Sequence, residues 1–467
     1  MLTVSRKKQK MENESFGIQR SYNEVVAYLD SKKSYEYSEK SLERMKQLDE
    51  LLQNPSEKID TILIGGTNGK SSALHFTAKL LKEEGFKVGV SYSNHFLNYN
   101  ERIILNSEII SNKDFTDAVN KIIDVVEQNE IGATVFEILT MSSLIYFNDQ
   151  NADVILLEVG MGGKYDATNI CNPKICAVTR IACDHLNTLG SDLDAVAFEM
   201  LEIAKEGSWF ISAEQSKLRL QKMKDFLSER GVRWAMPIRK LATLPYLYEQ
   251  LYGRSASLGE RIAQIYVEDI KGRFSPFLRG NLLATQKGQR GRPTLKAKQD
   301  AQINPLKTLK NFWRDQFDLL KGRFEILKKE QPVVLIDTAH NVDAFENLFL
   351  GIRLLHYQKP LKGLAIIMGI SKNINSLEAI KAVRYLLRKI SGQIYFIPLP
   401  NNQPSHDTQT LVDLVKEMGI RAKSMESFSQ AFELAKEFVD EHDGLIAIFG
   451  SNDIVSQYWK NREIKKI

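Results

Sequence analysis

Short apolar runs alternate with longer amphipathic stretches along most of the chain. In the first half, the runs lie at 60–64, 87–91, 153–159 and 175–179. Apolar residues at three- and four-residue spacing predict helices around them, at 71–85, 114–128, 134–147 and 192–205. Strands that are apolar on both faces and alternate with helices are typical of a parallel sheet that helices cover on both sides.

The same alternation returns in the last third of the chain. It predicts strands at 332–337, 363–368, 393–397 and 445–449, and helices at 344–355, 376–390, 408–418 and 429–442. A unit of about 160 residues is long enough to hold its own core. We therefore predict an α/β protein with two domains. The N-terminal domain, at 19–305, is of the P-loop type, with a mostly parallel sheet and helices on both faces. The smaller C-terminal domain, at 306–467, is Rossmann-like.

Between 216 and 321 the pattern loses its regularity, and no strand or helix is predicted there. Within this stretch, 287–298 (KGQRGRPTLKAK) has five positively charged residues and no acidic one. We interpret this segment as an irregular basic loop of the N-terminal domain. Its QRGRP resembles the core of a segment that binds the minor groove of DNA, but it occurs once, so a solvated loop is favoured.

Composition narrows the class of protein. The 467 residues include 63 Lys and Arg against 58 Asp and Glu, and the net charge of +5 does not indicate an obligate nucleic-acid binder. No apolar run is long enough to span a membrane. Residues 1–18 are basic and polar and lack the apolar core of a signal peptide, so we interpret them as a disordered tail. With only three cysteines, the chain is expected in the cytoplasm.

The strongest local signal is ILIGGTNGKSS at 62–72, where an apolar strand ends in glycines and a helix follows. Glycines let backbone amides approach a phosphate, the helix N-terminus adds partial positive charge, and Lys70 adds a full one. The spacing is not that of a strict Walker loop, because Ile64 stands where the first glycine would be. The segment predicts a phosphate-binding loop rather than an ordinary turn.

Other strands also end in polar residues. Glu158 is the last residue of a buried strand, and a glycine-rich turn follows it (LEVGMGGKYDATN). Burying this carboxylate is costly. Either a cation bound beside it or a neighbouring helix that it caps would offset the cost. Asp337 follows a later strand (VVLIDTAHN), and Arg323 precedes that strand. Asp337 could accept from a ribose or an amine and Arg323 could bind a phosphate, but on these residues alone a structural turn with a helix cap is favoured.

A zinc site is not indicated. Cys171, Cys176, Cys183 and His185 have the spacing C-x4-C-x6-C-x-H, which fits no compact tetrahedral set. A predicted strand between them would also point the side chains apart. For the adjacent pair Asp184 and His185 two interpretations stay open: the histidine is structural, or it is a site residue.

Taken in order, these segments resemble the folylpolyglutamate synthase/dihydrofolate synthase family of the Mur ligase superfamily. The resemblance runs through GGTNGKSS, SNHFLNYNERI, TVFEILT, LEVGMGGKYDATN, IACDHLNTLG, KGRFE, LIDTAHN and IFGS. It implies a monomeric enzyme of folate biosynthesis and one-carbon metabolism. Such an enzyme uses ATP and Mg²⁺ to join L-glutamate to dihydropteroate or a folate through an acyl phosphate.

The resemblance also implies site residues. The nucleotide-binding set comprises Gly66, Thr67, Asn68, Gly69, Lys70, Ser71, Ser72, Gln286, Arg323, Asp337 and His340. The implied Mg²⁺ ligands are Ser93, Glu158 and His185. Lys70, Glu158 and His185 are expected to act in catalysis, and closure of the C-terminal domain would complete the site.

Four residues depart from the family's pattern. Ser71 replaces the glycine after the loop lysine, and Asn94 replaces the proline of an SPH motif. Met200 stands at a lysine that the family carbamylates to bind a second metal, and methionine cannot form a carbamate. Gln286 replaces an asparagine that contacts ATP. These changes leave two alternatives open, a diverged Mur-like amide ligase with another acceptor and a non-catalytic nucleotide-binding homologue.

Overall fold

The computed structural model describes residues 19–184, 186–190, 192–279, 308–400 and 404–464. The predicted tail 1–18, the basic loop 287–298, His185 and Gln286 lie outside these ranges, as does the predicted domain boundary at 305. Those expectations therefore stay predictions. Within the described ranges no helix is both long and apolar enough to cross a membrane.

The first half of the chain builds an eight-stranded sheet. Its strands are β1 (Asp60–Gly65), β2 (Val88–Ser91), β3 (Ile103–Leu105), β4 (Glu108–Ile109), β5 (Val154–Glu158), β6 (Ile175–Val178), β7 (Trp209–Ser212) and β8 (Arg233–Ala235). They lie in the order β4-β3-β2-β5-β1-β6-β7-β8. All neighbouring pairs are parallel except β2–β3 and β3–β4, which form an antiparallel edge. The parallel core places the carboxyl ends of β1 and β5 side by side, with Ile64 opposite Glu158.

Nine helices accompany this sheet within the described residues. They are α1 (Tyr22–Asp30), α2 (Glu39–Leu51), α3 (Lys70–Glu83), α4 (Asn112–Gln128), α5 (Val135–Asp149), α6 (Leu186–Leu189), α7 (Leu193–Leu201), α8 (Lys217–Ser228) and α9 (Tyr248–Ile265). Alternate residues of β1 point to opposite faces. Ile62 and Ile64 pack with α3 and α9, whereas Leu63 packs with α4, α5 and α7 on the other face. The prediction of a sheet covered on both sides is confirmed.

The second half builds a six-stranded sheet. Its strands are β9 (Glu325–Leu327), β10 (Val333–Ile336), β11 (Leu364–Met368), β12 (Gly392–Phe396), β13 (Ala422–Ser424) and β14 (Leu445–Phe449). They lie in the order β13-β12-β11-β14-β10-β9, parallel except at β9–β10. The helix α10 (Leu309–Gln316) packs through Trp313 against α3 and α9 of the first half. The helices of the second sheet are α11 (Val342–Gln358), α12 (Ser376–Leu387), α13 (Thr408–Glu417), α14 (Phe428–Phe438) and α15 (Asn452–Asn461). The predicted second α/β unit is confirmed.

The stretch in which no elements were predicted proves to be ordered over much of its length. It contains α8, β8, α9 and α10. Helix α9 packs closely on α3, and a Cβ on Gly259 would lie 3.1 Å from the backbone nitrogen of Thr77. The buried face of α9 combines apolar side chains such as Leu258 and Ile262 with the small residues Gly253, Ala256 and Gly259. Glycine lowers helix propensity, which is why no helix was predicted here.

Candidate active site

The predicted phosphate-binding loop joins β1 to α3. Gly66 and Gly69 have φ of +123° and +92°, a left-handed region that favours glycine. The loop is tied to the chain that leaves β6, since the Thr67 amide donates to the Arg180 carbonyl at 2.8 Å. The Thr67 hydroxyl donates to the Ala182 carbonyl and accepts from its amide. The loop is thus held open at the carboxyl edge of the sheet.

Lys70 opens α3 and reaches back across this loop. Its Nζ donates to the carbonyls of Gly66 at 2.9 Å and Thr67 at 3.3 Å. Within the described residues it forms no ion pair with a carboxylate. Because only neutral carbonyls hold this lysine over the loop, no carboxylate competes with an anion for it. The structure therefore brings Lys70 to the position that the motif predicts.

Glu158 ends β5 beside the loop and is 4% exposed. Its two oxygens accept from the Ser71 hydroxyl and from the Ser93 amide, both at 3.0 Å. No lysine or arginine of the described residues forms a direct ion pair with it, although the charge of Arg102 interacts with it at longer range. Burying a carboxylate without a direct ion pair is costly, and a divalent cation would offset that cost.

The oxygen donors at Glu158 suit Mg²⁺, which takes one or two carboxylates and completes its shell with hydroxyls, water and phosphate oxygens. The Ser71 hydroxyl already contacts the carboxylate, and the Ser93 hydroxyl lies on the adjoining loop. The described residues include no group of three or more His, Cys, Asp or Glu that could hold a metal by themselves. His185, the third ligand predicted, lies outside those residues.

The second sheet brings its own polar residues to the loop. Arg323 donates to the Ser71 hydroxyl at 2.9 Å and also to the Thr338 hydroxyl. Asp337 follows β10 and accepts from the amides of Phe324 and Ala339, each at 2.7 Å. Burial raises the pKa of Asp337, an effect that the charge of Arg323 partly opposes. The structure thus places residues of both halves at one site.

Two cavities meet here. The larger, of about 300 Å³, lies between the loop and the second sheet and is lined by Asn68, Gly69, Lys70, Ser71, Ser72, Arg323, Asp337 and His340. The smaller, of about 120 Å³, is lined by Tyr92, His95, Phe96 and Lys321. Both also touch Ser71, Glu158 and Arg323. Burial and the neighbouring Arg102 lower the pKa of His95 to about 3, so its ring is neutral at physiological pH.

Several site residues were not found from the sequence. Arg180, Arg254 and Asp343 also line the larger cavity. Arg254 lies on α9, in the stretch without a clear pattern, and Asp343 lies just after the DTAHN motif. No local motif marks them. Arg180 reaches the cavity from the chain after β6, Arg254 through the packing of α9, and Asp343 from the first turn of α11.

Other motif residues prove to be structural. Asp166, of LEVGMGGKYDATN, is fully buried and accepts from the amides of Gly160 and Met161 and from the Thr168 hydroxyl. It fixes the glycine turn that follows Glu158. Met200 is 3% exposed and belongs to the core on the α4–α5 face of the sheet. Its side chain adds packing at a position where the family's lysine would add charge.

Gly163 sets how closely this turn approaches α7. A Cβ there would lie 2.6 Å from the Glu199 carbonyl oxygen and 2.9 Å from a methyl of Ile203. We expect Gly163→Ala to lower the free energy of unfolding by about 2 kcal/mol or more, because the turn and α7 must separate. Chemical denaturation would measure it. Gly132→Ala is the matched control, since nothing lies within 4 Å of its Cβ and its stability should change by less than about 0.5 kcal/mol.

Comparison with known proteins places this arrangement in a family. Residues 64–226 match the family described as Mur ligase middle domain, and residues 322–452 match the Mur ligase, glutamate ligase domain. A dihydrofolate synthase/folylpolyglutamate synthase of Bacillus subtilis is 30% identical over 317 residues, which cover 66% of this chain and 70% of that protein. The chain belongs to the folylpolyglutamate synthase/dihydrofolate synthase family. It is an ATP-dependent glutamate ligase of the Mur type.

Further relatives agree along the length of the chain. The dihydrofolate synthase/folylpolyglutamate synthase of Escherichia coli is 28% identical over 380 residues, covering 80% of this chain and 79% of that protein. A solved structure of E. coli FolC in complex with DHPP and ADP superposes with a TM-score of 0.72 at 22% identity, over 95% of this chain and 98% of that one. A folylpolyglutamate synthase of Mycobacterium tuberculosis complexed with ADP gives 0.73 at 20% identity, over 96% and 98%. These likenesses confirm the predicted two-part fold.

Proposed function

We propose that this ligase joins the amine of L-glutamate to a carboxylate of dihydropteroate or a folate. The terminal phosphoryl group of ATP first passes to that carboxylate, giving an acyl phosphate and ADP. The amine then attacks the acyl carbon, an amide forms, and phosphate and a proton leave. The observation that carries this proposal is the meeting of two cavities at Ser71, Glu158 and Arg323. A phosphoryl donor in one cavity would face an acceptor in the other across these three residues.

The larger cavity suits the nucleotide. Thr67, Asn68, Gly69 and the N-terminus of α3 line it, and Lys70 and Arg323 add two positive charges. Asp337 and His340, on the opposite wall, offer an acceptor and a donor for the ribose. In this arrangement the loop residues and Arg323 bind the phosphates, and Asp337 and His340 bind the nucleoside.

Glu158 and Ser71, with Ser93 beside them, would hold Mg²⁺. When bound, the ion would neutralise phosphate charge and so favour attack at the terminal phosphorus. The protein's own residues position the groups around the ion. Ser71 orients the carboxylate, and Arg323, through Ser71, ties the second sheet to it. His185 is proposed as a further ligand on the basis of the family resemblance.

The smaller cavity suits the acceptor. Aromatic and apolar side chains, including Tyr92 and Phe96, form part of its wall. His95, which stays neutral, can donate a hydrogen bond without adding charge, and Lys321 places a cation at the rim. A carboxylate entering this cavity would end near Glu158 and Arg323. We also propose a monomer that acts in the cytoplasm, which the three free cysteine thiols support.

Phosphate release tests the function. Purified protein with Mg²⁺-ATP should release phosphate only when L-glutamate and either dihydropteroate or tetrahydrofolate are both present, and mass spectrometry should show one added glutamyl unit. Release with another amino acid or acceptor would instead support a diverged ligase. Nucleotide binding without release under any of these conditions would support a non-catalytic homologue, and Met200 would then be the first residue to exchange for lysine.

A further inference from the structure

Six polar side chains join the two halves of the protein at the mouth of the larger cavity. We call them the clasp: Asn68, Arg180 and Asp184 on the first half, and His340, Asn341 and Asp343 on the second. The side-chain amides of Asn68 and Asn341 exchange two hydrogen bonds, at 2.9 and 3.1 Å. Asn341 also donates to Asp184 at 2.9 Å, and His340 Nε2 lies 3.6 Å from the same carboxylate.

Asp343 is the centre of the charged part of the clasp. One of its oxygens pairs with a guanidinium nitrogen of Arg180 at 2.6 Å, and the other accepts from Asn68 at 2.8 Å. Its side chain is 15% exposed, and it lies in the first turn of α11, where a carboxylate is favoured by the helix dipole. A single carboxylate thus binds two residues of the opposite half.

The backbone of Arg180 is tied to the phosphate-binding loop. Its carbonyl accepts from the Thr67 amide at 2.8 Å, and Arg180 also forms an isolated bridge with Asn68. The arginine therefore moves with the phosphate-binding loop. Arg254 lies close by, and burial together with the charge of Arg180 lowers its pKa. The carboxylate of Asp343 offsets the repulsion between these two guanidinium groups, which favours closure of the second half onto the first.

We propose that Arg180 and Asp343 are positioning residues that hold the second half closed over the phosphate-binding loop. The proposal rests on the proposed function only in naming ATP as the nucleotide. Closure keeps Arg323 on Ser71 and brings Asp337 to the cavity, so its loss weakens nucleotide binding without removing any group that touches the reacting atoms. For one partly exposed ion pair, the expected increase in the KM for ATP is about fivefold, with kcat changed less than about twofold.

A double-mutant cycle tests this inference. Arg180→Gln and Asp343→Asn should each raise the KM for ATP, and the double variant should raise it by less than the product of the two effects, because both changes break the contact between Arg180 and Asp343. Exchange of the charges (Arg180→Asp with Asp343→Arg) should recover part of the loss. Asp443→Asn is the control. It removes the partner of Lys359 and Lys362 within the second half and should leave the KM unchanged.

The opposite pattern would overturn the proposal. If Arg180 bound phosphate directly and Asp343 merely competed for it, Arg180→Gln would raise the KM and Asp343→Asn would lower it. Additive effects in the double variant would also count against a shared contact.

Small-angle X-ray scattering of the nucleotide-free protein separates this inference from the proposed function. The variants should show a larger radius of gyration than the wild type and the Asp443→Asn control. Radii of gyration equal to that of the wild type would rule out the proposed role of Arg180 and Asp343, even if the ligase assay succeeds. If the wild type shows no glutamate-dependent turnover, the scattering still decides the matter, because it requires neither substrate nor catalysis.

Discussion

Replacing Lys70 by alanine is expected to lower the rate of ATP-dependent glutamate addition by at least about a hundredfold. The Nζ of this lysine donates only to two carbonyls of its own loop and has no carboxylate partner among the described residues. Its charge is therefore available to stabilise the phosphoryl group in the transition state. Steady-state phosphate release, with both glutamate and a pteridine present, measures the effect.

The fold should survive this change. Lys70 is only half-buried, and water can satisfy the two carbonyls that it leaves. We expect the free energy of unfolding to change by less than about 1 kcal/mol. Lys82→Ala is the matched control, because Lys82 lies on the same helix and also donates to a backbone carbonyl, that of Asn106 at 2.9 Å. Full activity of Lys70→Ala, or equal losses in both variants, would rule out the assigned role.

The sequence predicted best those features that are local. Strands such as β5, with Ile155 and Leu157 on one face and Val154 and Leu156 on the other, are buried on both sides and therefore apolar throughout. That pattern indicates a parallel sheet before any contact is known. The phosphate-binding loop was equally visible, since its glycines, Lys70 and the helix start lie within a few residues.

Features that depend on contacts between distant segments were not predicted. Helix α9 contains Gly253 and Gly259, which lower its helix propensity, yet it supplies Arg254 to the larger cavity. The clasp pairs Arg180 with Asp343, residues from different halves that no local spacing connects. Asp166, in contrast, lies in a diagnostic motif, but the structure gives it the task of holding a turn.

Two buried glutamates of the motifs, Glu137 and Glu158, differ in their partners. Glu137, of TVFEILT, is 1% exposed, binds Arg44 at 2.7 Å and accepts from the Ser41 hydroxyl at 2.6 Å. Glu158 is nearly as buried but forms no direct ion pair with a lysine or arginine of the described residues. Glu137 is neutralised by a direct ion pair within the fold, whereas Glu158 lies at the wall of both cavities and can be reached by a ligand. The two residues should therefore respond in opposite ways to the same substitution.

Glu158→Gln is expected to lower turnover at least about a hundredfold while changing the free energy of unfolding by less than about 1 kcal/mol, because the amide keeps an acceptor for Ser71 or Ser93. Glu137→Gln should do the reverse. It leaves the Arg44 guanidinium without its counter-charge and should cost about 3 kcal/mol of stability, with kcat reduced less than about threefold. Denaturant titration and steady-state kinetics measure the free energy of unfolding and the turnover of both variants.

Isothermal titration calorimetry provides a further test. Mg²⁺-dependent nucleotide binding should be lost in Glu158→Gln and kept in Glu137→Gln. If Glu158→Gln retained turnover, or unfolded as readily as Glu137→Gln, its carboxylate would be structural and the metal would have to bind elsewhere.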